Sequence, residues 1–152
     1  RPGEILGLFG LSGVGKSVVL RVLAGMEGVG GGSISYNDEA LNDAHKRSFH
    51  FPNLTNQSFW KTIFKTRGKS EFADGEGQVY ALESALDKAE GVLLLDNSFC
   101  QMDWKLREEK YDRLRQSVRE KNLIAVFATN NYEEIFQACD RVAILHEGEI
   151  KQ

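Results

Sequence analysis

The sequence has little cysteine, no long apolar run and no strong excess of either charge. Its two cysteines, Cys100 and Cys139, are too few and too far apart for a disulfide framework or a metal site, and we interpret them as packing residues in a reducing compartment. No apolar run is long enough to span a bilayer, and no signal peptide is visible. The formal net charge of −3 gives no electrostatic case for bulk nucleic-acid binding.

The composition is typical of one globular domain covering residues 1–152. Apolar residues make up 41% of the chain and charged residues 27%, which is ordinary for a soluble protein with a packed core. The chain starts at Arg1 and its first methionine is Met26, so we expect a fragment or a processed chain.

Residues 10–17 form a glycine-rich stretch with the spacing GxxxxGK followed by serine. An apolar run precedes it at residues 5–9 and an apolar-periodic run follows at 18–24, which predicts a strand, a loop and a helix in that order. The alternative is a glycine-rich turn that merely joins a strand to a helix. The coincidence of spaced glycines, the Lys-Ser pair and both flanking elements favours a phosphate-binding loop.

The residue types in this stretch suit a polyphosphate. Glycines allow successive backbone N–H groups to point inward, and the N-terminus of the following helix favours an anion. Lys16 can reach the β- and γ-phosphates, and the Ser17 hydroxyl can hold Mg²⁺. The predicted binding residues are Gly10, Ser12, Gly13, Val14, Gly15, Lys16, Ser17 and Val18.

A second part of the predicted site is the apolar run at residues 92–95, which is followed by Asp96. Such a run predicts a buried parallel strand that delivers the carboxylate to the carboxyl end of the sheet. Following a complete phosphate loop, this aspartate is predicted to hold the Mg²⁺ shell.

The remaining pattern predicts an α/β fold with a mostly parallel sheet flanked by helices. Residues 33–36 and a closing hairpin are expected to add antiparallel edges to that sheet. A loop is expected at 74–77, with a helix beginning near Gln78. Further strands are predicted at 48–51, 123–129 and 141–146, and further helices at 105–121 and 133–139. Between residues 54 and 73, aromatic and basic residues alternate; we favour an amphipathic helix over a nucleic-acid surface.

In order and spacing, these segments resemble the ATP-binding cassette (ABC) ATPases. Residues 3–8 look like that family's first strand, 20–25 like its first helix and 32–36 like the strand that follows. Residues 139–150 look like its closing segment, which few other P-loop proteins share. The resemblance covers nearly the whole chain and implies ATP and Mg²⁺ as ligands, a homo- or heterodimer of nucleotide-binding domains, and a cytoplasmic location.

The chain departs from the family where a second subunit would complete the site. In place of the signature LSGGQ it has Phe72-Ala73-Asp74-Gly75-Glu76. Ala73 lacks the serine hydroxyl, and the carboxylate of Asp74 would repel a phosphate, so this half of a composite site is expected to be weakened.

Three asparagines stand where the family has its hydrolytic groups. Asn97 replaces the glutamate that acts on the attacking water, Asn130 replaces the switch histidine, and Asn53 after Pro52 replaces the glutamine that reaches the metal. An amide can orient a water but cannot take its proton, although Asn53 could still bind Mg²⁺. We therefore expect Mg·ATP binding through Ser17 and Asp96 with weak or absent hydrolysis.

The segment 54–77 is shorter than the helical subdomain of transporters, so we interpret it as a remnant and do not favour a membrane permease as partner; with one, the protein would be peripheral to the membrane. The family's adenine-stacking aromatic residue would lie upstream of Arg1.

Three alternatives stay open: a catalytically silent module whose dimerisation ATP controls, a small P-loop kinase, and a cassette protein of DNA repair or defence. The last lacks a clear nucleic-acid footprint.

Overall fold

The computed structural model of the chain describes residues 1–52 and 74–152. The strands are β1 (Ile5–Phe9), β2 (Ser35–Tyr36), β3 (Glu39–Ala40), β4 (Phe49–His50), β5 (Val92–Asp96), β6 (Ile124–Thr129), β7 (Arg141–His146) and β8 (Glu149–Ile150). The helices are α1 (Lys16–Leu23), α2 (Asp43–Lys46), α3 (Asp74–Lys88), α4 (Trp104–Glu120) and α5 (Tyr132–Ala138). Asn53 and the helix expected within 54–73 lie outside the described residues.

The main sheet has the strand order β4-β5-β6-β1-β7-β8. All neighbours in it are parallel except β7 and β8, which form the predicted closing hairpin. Phe9 pairs with Thr129, and Asp96 pairs with Ala128. The carboxyl ends of β1, β5 and β6 therefore meet at one edge of the sheet, next to the glycine-rich loop, as expected for an α/β binding site.

Alternate residues of the central strands supply two separate cores. Leu93 and Leu95 pack with α3, α4 and α5 on one face, whereas Leu94 packs with Leu20 of α1 on the other. All four leucine side chains are fully buried. This burial on both faces explains the continuous apolar runs and confirms the predicted α/β architecture. In the described ranges, no helix combines the length and apolar character needed to cross a membrane.

Two expectations about local structure are wrong. The expected loop at 74–77 is instead the first turn of α3, because burial of Leu82 and Leu86 further along outweighs the ~1 kcal/mol that a glycine costs in a helix. The strand at Ser35–Tyr36 does not extend the main sheet. It pairs with β3 in a sheet of two strands, because Asn37 and Asp38 both adopt positive φ and close a tight hairpin.

Candidate phosphate-binding site

The glycine-rich loop runs from the end of β1 to the start of α1, as its sequence context predicts. Gly13 (φ +85°) and Gly15 (φ +103°) both occupy the left-handed region, where a side chain is strained. Nothing lies within 4 Å of the position that a Cβ would take on either glycine, so there is open space beside the backbone at both residues. No acidic residue lies in the first turn of α1, whose N-terminal end therefore stays favourable to an anion.

Gly10 serves a different purpose in the same loop. A Cβ on this residue would lie 2.5 Å from the Leu145 carbonyl oxygen of β7 and 2.9 Å from Cγ2 of Val14. The absence of a side chain therefore lets the start of the loop pass directly against β7. Val14 in turn packs against the core on the α1 face of the sheet, whereas Val18 is exposed on α1.

Gly10→Ala is expected to lower the free energy of unfolding by about 1–3 kcal/mol, because backbone atoms of β7 must move to admit the methyl group. Gly28→Ala is the matched control, since Gly28 has nothing within 4 Å and is expected to change stability by less than about 0.5 kcal/mol. Chemical denaturation of both variants measures the difference. Equal stability of the two variants would contradict the role assigned to Gly10.

Helix α1 is closed at its far end by a glycine. Gly25 has φ +71°, its N–H donates to the Val22 carbonyl, and the N–H of Met26 donates to the Arg21 carbonyl. This is the Schellman arrangement that satisfies the last carbonyls of a helix. It defines where α1 ends.

Lys16 is buried, with 5% of its surface exposed, and its amine folds over the loop. Nζ donates hydrogen bonds to the carbonyl oxygens of Gly10 at 2.8 Å and Leu11 at 2.9 Å. Burial lowers the pKa of the Lys16 amine, and the negative charge of Asp96 partly opposes that shift. Within the loop, the Lys16 amine contacts only neutral carbonyl oxygens. A bound polyphosphate would supply a negative partner for this buried cation.

Asp96 ends β5 on the same side of the sheet as Lys16, half-buried, with Asn97 Nδ2 3.4 Å from its Oδ1. Ser17, the other predicted metal residue, is the second residue of α1. Within residues 1–52 and 74–152, no group of three or more His, Cys, Asp or Glu side chains could hold a metal by itself. This donor set fits Mg²⁺, which proteins bind with one or two side chains plus substrate phosphates.

The structure brings two of the three predicted asparagines to this edge. Asn97 has φ +45°, which asparagine tolerates, and its N–H donates to the Ala128 carbonyl of β6 at 2.9 Å. Asn130 Nδ2 donates to Ser12 Oγ of the phosphate loop at 3.0 Å, a contact between residues 118 positions apart. Asn53, predicted as both metal and water residue, stays a prediction because it lies outside the described residues.

Two buried polar residues of this region are not among the site residues that the sequence predicts. Glu134 of α5 is 3% exposed and accepts a hydrogen bond from Thr129 at the end of β6. Gln78 of α3 is also 3% exposed; its Nε2 donates to Cys100 Sγ at 3.3 Å, and its Oε1 accepts from the Gln101 N–H at 3.0 Å. No sequence signal marks either residue, because glutamate and glutamine are ordinary on helix surfaces.

Asp103, in the loop after β5, caps α4. Its side chain accepts from the Leu106 N–H at 2.9 Å, which satisfies one of the free N–H groups of the first turn. The α4 side of the loop between β5 and α4 is therefore held at two points, by Gln78 at Cys100 and Gln101 and by this cap.

Comparison with known proteins supports the resemblance. The protein family described as "ABC transporter" matches residues 1–53. The sulfate/thiosulfate import ATP-binding protein CysA of Nitrosomonas europaea is 30% identical, with the alignment covering 99% of this chain and 53% of that protein. The spermidine/putrescine import ATP-binding protein PotA of Hahella chejuensis is 29% identical, covering 99% of this chain and 51% of that protein. The chain thus spans about half the length of the curated relatives it matches.

The fold also matches a solved structure. The ATP-binding subunit of an ABC transporter superposes with a TM-score of 0.74 at 21% identity, covering 99% of this chain and 78% of that one. The alignment with the Nitrosomonas protein extends over 191 positions, more than the 152 residues of this chain, so that relative has internal residues with no counterpart here.

Proposed function

The chain belongs to the ATP-binding cassette family of P-loop proteins, and from that premise we propose that it binds Mg·ATP, dimerises head to tail on it and hydrolyses it weakly or not at all. The observation that carries this proposal is the loop itself. Gly13 and Gly15 take left-handed conformations with open space beside their backbone, and the buried Lys16 amine lies where a polyphosphate would neutralise it.

The residues present suit Mg·ATP. The loop amides and the α1 N-terminus would hold the phosphates, Lys16 would contact the β- and γ-phosphates, and Ser17 with Asp96 would hold the metal. Bound Mg²⁺ neutralises charge on the phosphate oxygens. Lys16 would exchange its hydrogen bonds with the Gly10 and Leu11 carbonyls for the stronger ones that a phosphate offers.

Weak hydrolysis is proposed from the chemistry of two side chains. Asn97 stands beside Asp96, and Asn130 stands beside Ser12, so both are placed to touch a water or a terminal phosphate. Neither amide can accept a proton at neutral pH, so neither Asn97 nor Asn130 can serve as the general base.

Dimerisation is proposed from family membership and from the exposure of the loop. Leu11, which is 69% exposed, and the neighbouring Ser12 and Gly13 face solvent in the single chain. A second domain covering this side would bury Leu11 and place its own segment around Ala73 and Asp74 over the phosphates. Because Asp74 is acidic, the closed state is expected to be weak in a homodimer.

The relatives' names suggest that this domain serves an import system. A membrane permease would then be its partner, although the short segment 54–77 does not favour one. Two relatives are named for different cargoes, sulfate or thiosulfate and spermidine or putrescine, so they favour no particular one. A second candidate is a catalytically silent domain whose association ATP controls, which Asn97 and Asn130 favour.

Light scattering coupled to size exclusion tests the proposed dimerisation. With Mg·ATP at millimolar concentration the chain is expected to shift from monomer toward dimer, and with Mg·ADP or without nucleotide it should stay monomeric. The shift is expected because only the terminal phosphate is shared between two domains in a head-to-tail dimer. A monomer at saturating Mg·ATP, with binding confirmed by calorimetry, would overturn the homodimer and leave a heterodimer to be tested with a second nucleotide-binding domain.

A further inference from the structure

A buried polar network lies directly behind the carboxyl end of β6. Its centre is the Glu134 carboxylate of α5, which is 3% exposed. Oε2 accepts a hydrogen bond from Thr129 Oγ1, and Oε1 lies 3.9 Å from Arg107 NH1 of α4. Burial raises the pKa of the Glu134 carboxyl, while hydrogen bonds from Thr129 and Tyr111 and the charge of Arg107 oppose that rise. The network ties two helices to the end of one strand.

Thr129 connects this network to the phosphate loop. Its side chain is fully engaged, because Oγ1 donates to Glu134 and accepts from the Asn131 N–H at 3.0 Å. Its carbonyl oxygen lies 3.4 Å from the Gly10 N–H, the first amide of the loop. Only 1% of Thr129 is exposed, so water cannot replace these bonds.

Asn130 is held between two fixed neighbours. Thr129 belongs to β6, and Asn131 caps α5 by accepting from the Glu133 N–H at 2.9 Å. The Asn130 amide therefore projects from a short, restrained turn, and it reaches Ser12 Oγ at 3.0 Å. A chain of contacts runs from Glu134 through Thr129 and Asn130 to the phosphate loop.

We propose that Glu134 is a positioning residue, which acts through Thr129 to hold Asn130 against Ser12 and thereby sets the preference for a nucleoside triphosphate over a diphosphate. The inference rests on the function proposed above. Asp96, which would hold Mg²⁺ next to the terminal phosphate, lies at the end of β5, so a bound triphosphate would place its last phosphate near the strand ends. Asn130 lies on that side, two residues beyond Ala128, the residue paired with Asp96. Displacement of Asn130 would therefore affect a triphosphate more than a diphosphate.

The test compares variants that break or keep the Thr129 hydroxyl link. Thr129→Val keeps the shape and removes the hydroxyl, and Thr129→Ser keeps it. Glu134→Leu removes the acceptor, and Glu134→Gln keeps an oxygen that can accept from Thr129. Glu133→Gln is the control, since Glu133 is exposed on the same helix. Calorimetry measures the affinity of each variant for a non-hydrolysable ATP analogue and for ADP, both with Mg²⁺.

The expected result is a ratio of ATP-analogue to ADP affinity that falls about tenfold in Thr129→Val and Glu134→Leu, the scale of one charge-assisted hydrogen bond. Thr129→Ser, Glu134→Gln and the control should keep the ratio within about threefold. Combining Thr129→Val with Asn130→Ala should add little to either change alone, because both act on the same contact.

Two outcomes would contradict the inference. An unchanged ratio in folded Thr129→Val overturns it, because a merely structural role would lower thermal stability and both affinities together. If Glu134→Leu does not fold, the comparison of Thr129→Val with Thr129→Ser decides whether the inference stands. A wild-type chain that binds neither nucleotide overturns both this inference and the proposed function, whereas normal binding with an unchanged ratio overturns only the inference.

Discussion

Lys16→Ala is expected to weaken Mg·ATP binding by about 100-fold or more. The lysine supplies the one buried cation that the structure places on the phosphate loop in the described ranges, within 2.9 Å of two loop carbonyls. Hydrogen bonds to charged groups contribute about 1.5–3 kcal/mol each, and about 2.7 kcal/mol corresponds to a hundredfold change in affinity. Isothermal titration calorimetry of the purified chain with Mg·ATP measures the loss.

Stability is expected to change far less than affinity in this variant. Alanine favours the first turn of α1, and the variant removes the cost of burying an ammonium group. Lys105→Ala is the matched control, because Lys105 is exposed on α4 and distant from the loop in sequence. Equal Mg·ATP affinity of wild type and Lys16→Ala, with both folded by circular dichroism, would remove the basis for a phosphate site at this loop.

Hydrolysis by the wild-type chain is expected to be about 10²–10⁴-fold slower than in an ABC domain with a glutamate after the metal aspartate, the range that general-base catalysis supplies. Asn97→Glu is expected to raise turnover, and Asn97→Glu combined with Asn130→His to raise it further, toward about 10²-fold above wild type. The backbone already places residue 97 beside Asp96 and fixes its N–H to the Ala128 carbonyl at 2.9 Å. Steady-state phosphate release at saturating Mg·ATP measures turnover.

A glutamine variant shows whether a gain in turnover comes from the basicity of the glutamate at residue 97 or only from its longer side chain. Asn97→Gln has the length of glutamate without its basicity and should stay as slow as wild type. Glutamate at φ +45° is strained by about 1–2 kcal/mol, so the stability of each variant is recorded beside its turnover. Turnover by wild type at the rate of an intact ABC ATPase, or equal gains in Asn97→Gln and Asn97→Glu, would contradict the proposed loss of a base.

The sequence alone determined the strand, glycine-rich loop and helix around residues 5–23, the position of Asp96 at a strand end and the parallel sheet, because each depends on local chemistry. Glycines that take positive φ, a lysine at the start of a helix, and apolar strands buried on both faces all leave patterns within a few residues. The place of Asn97 and Asn130 beside the loop also followed, because carboxyl ends of neighbouring parallel strands share one edge.

Only the tertiary structure decided which polar side chains meet across the chain. The burial of Glu134 beside Thr129 and the hydrogen bond between Gln78 and Gln101 involve residues that look like ordinary surface positions in sequence, and the contact of the predicted Asn130 with Ser12 became visible only in the fold. The separate β2–β3 hairpin and the start of α3 at Asp74 were likewise decided by packing. The physical reason is that a polar residue's partner and burial depend on where distant elements pack, whereas backbone conformation and strand burial are encoded nearby.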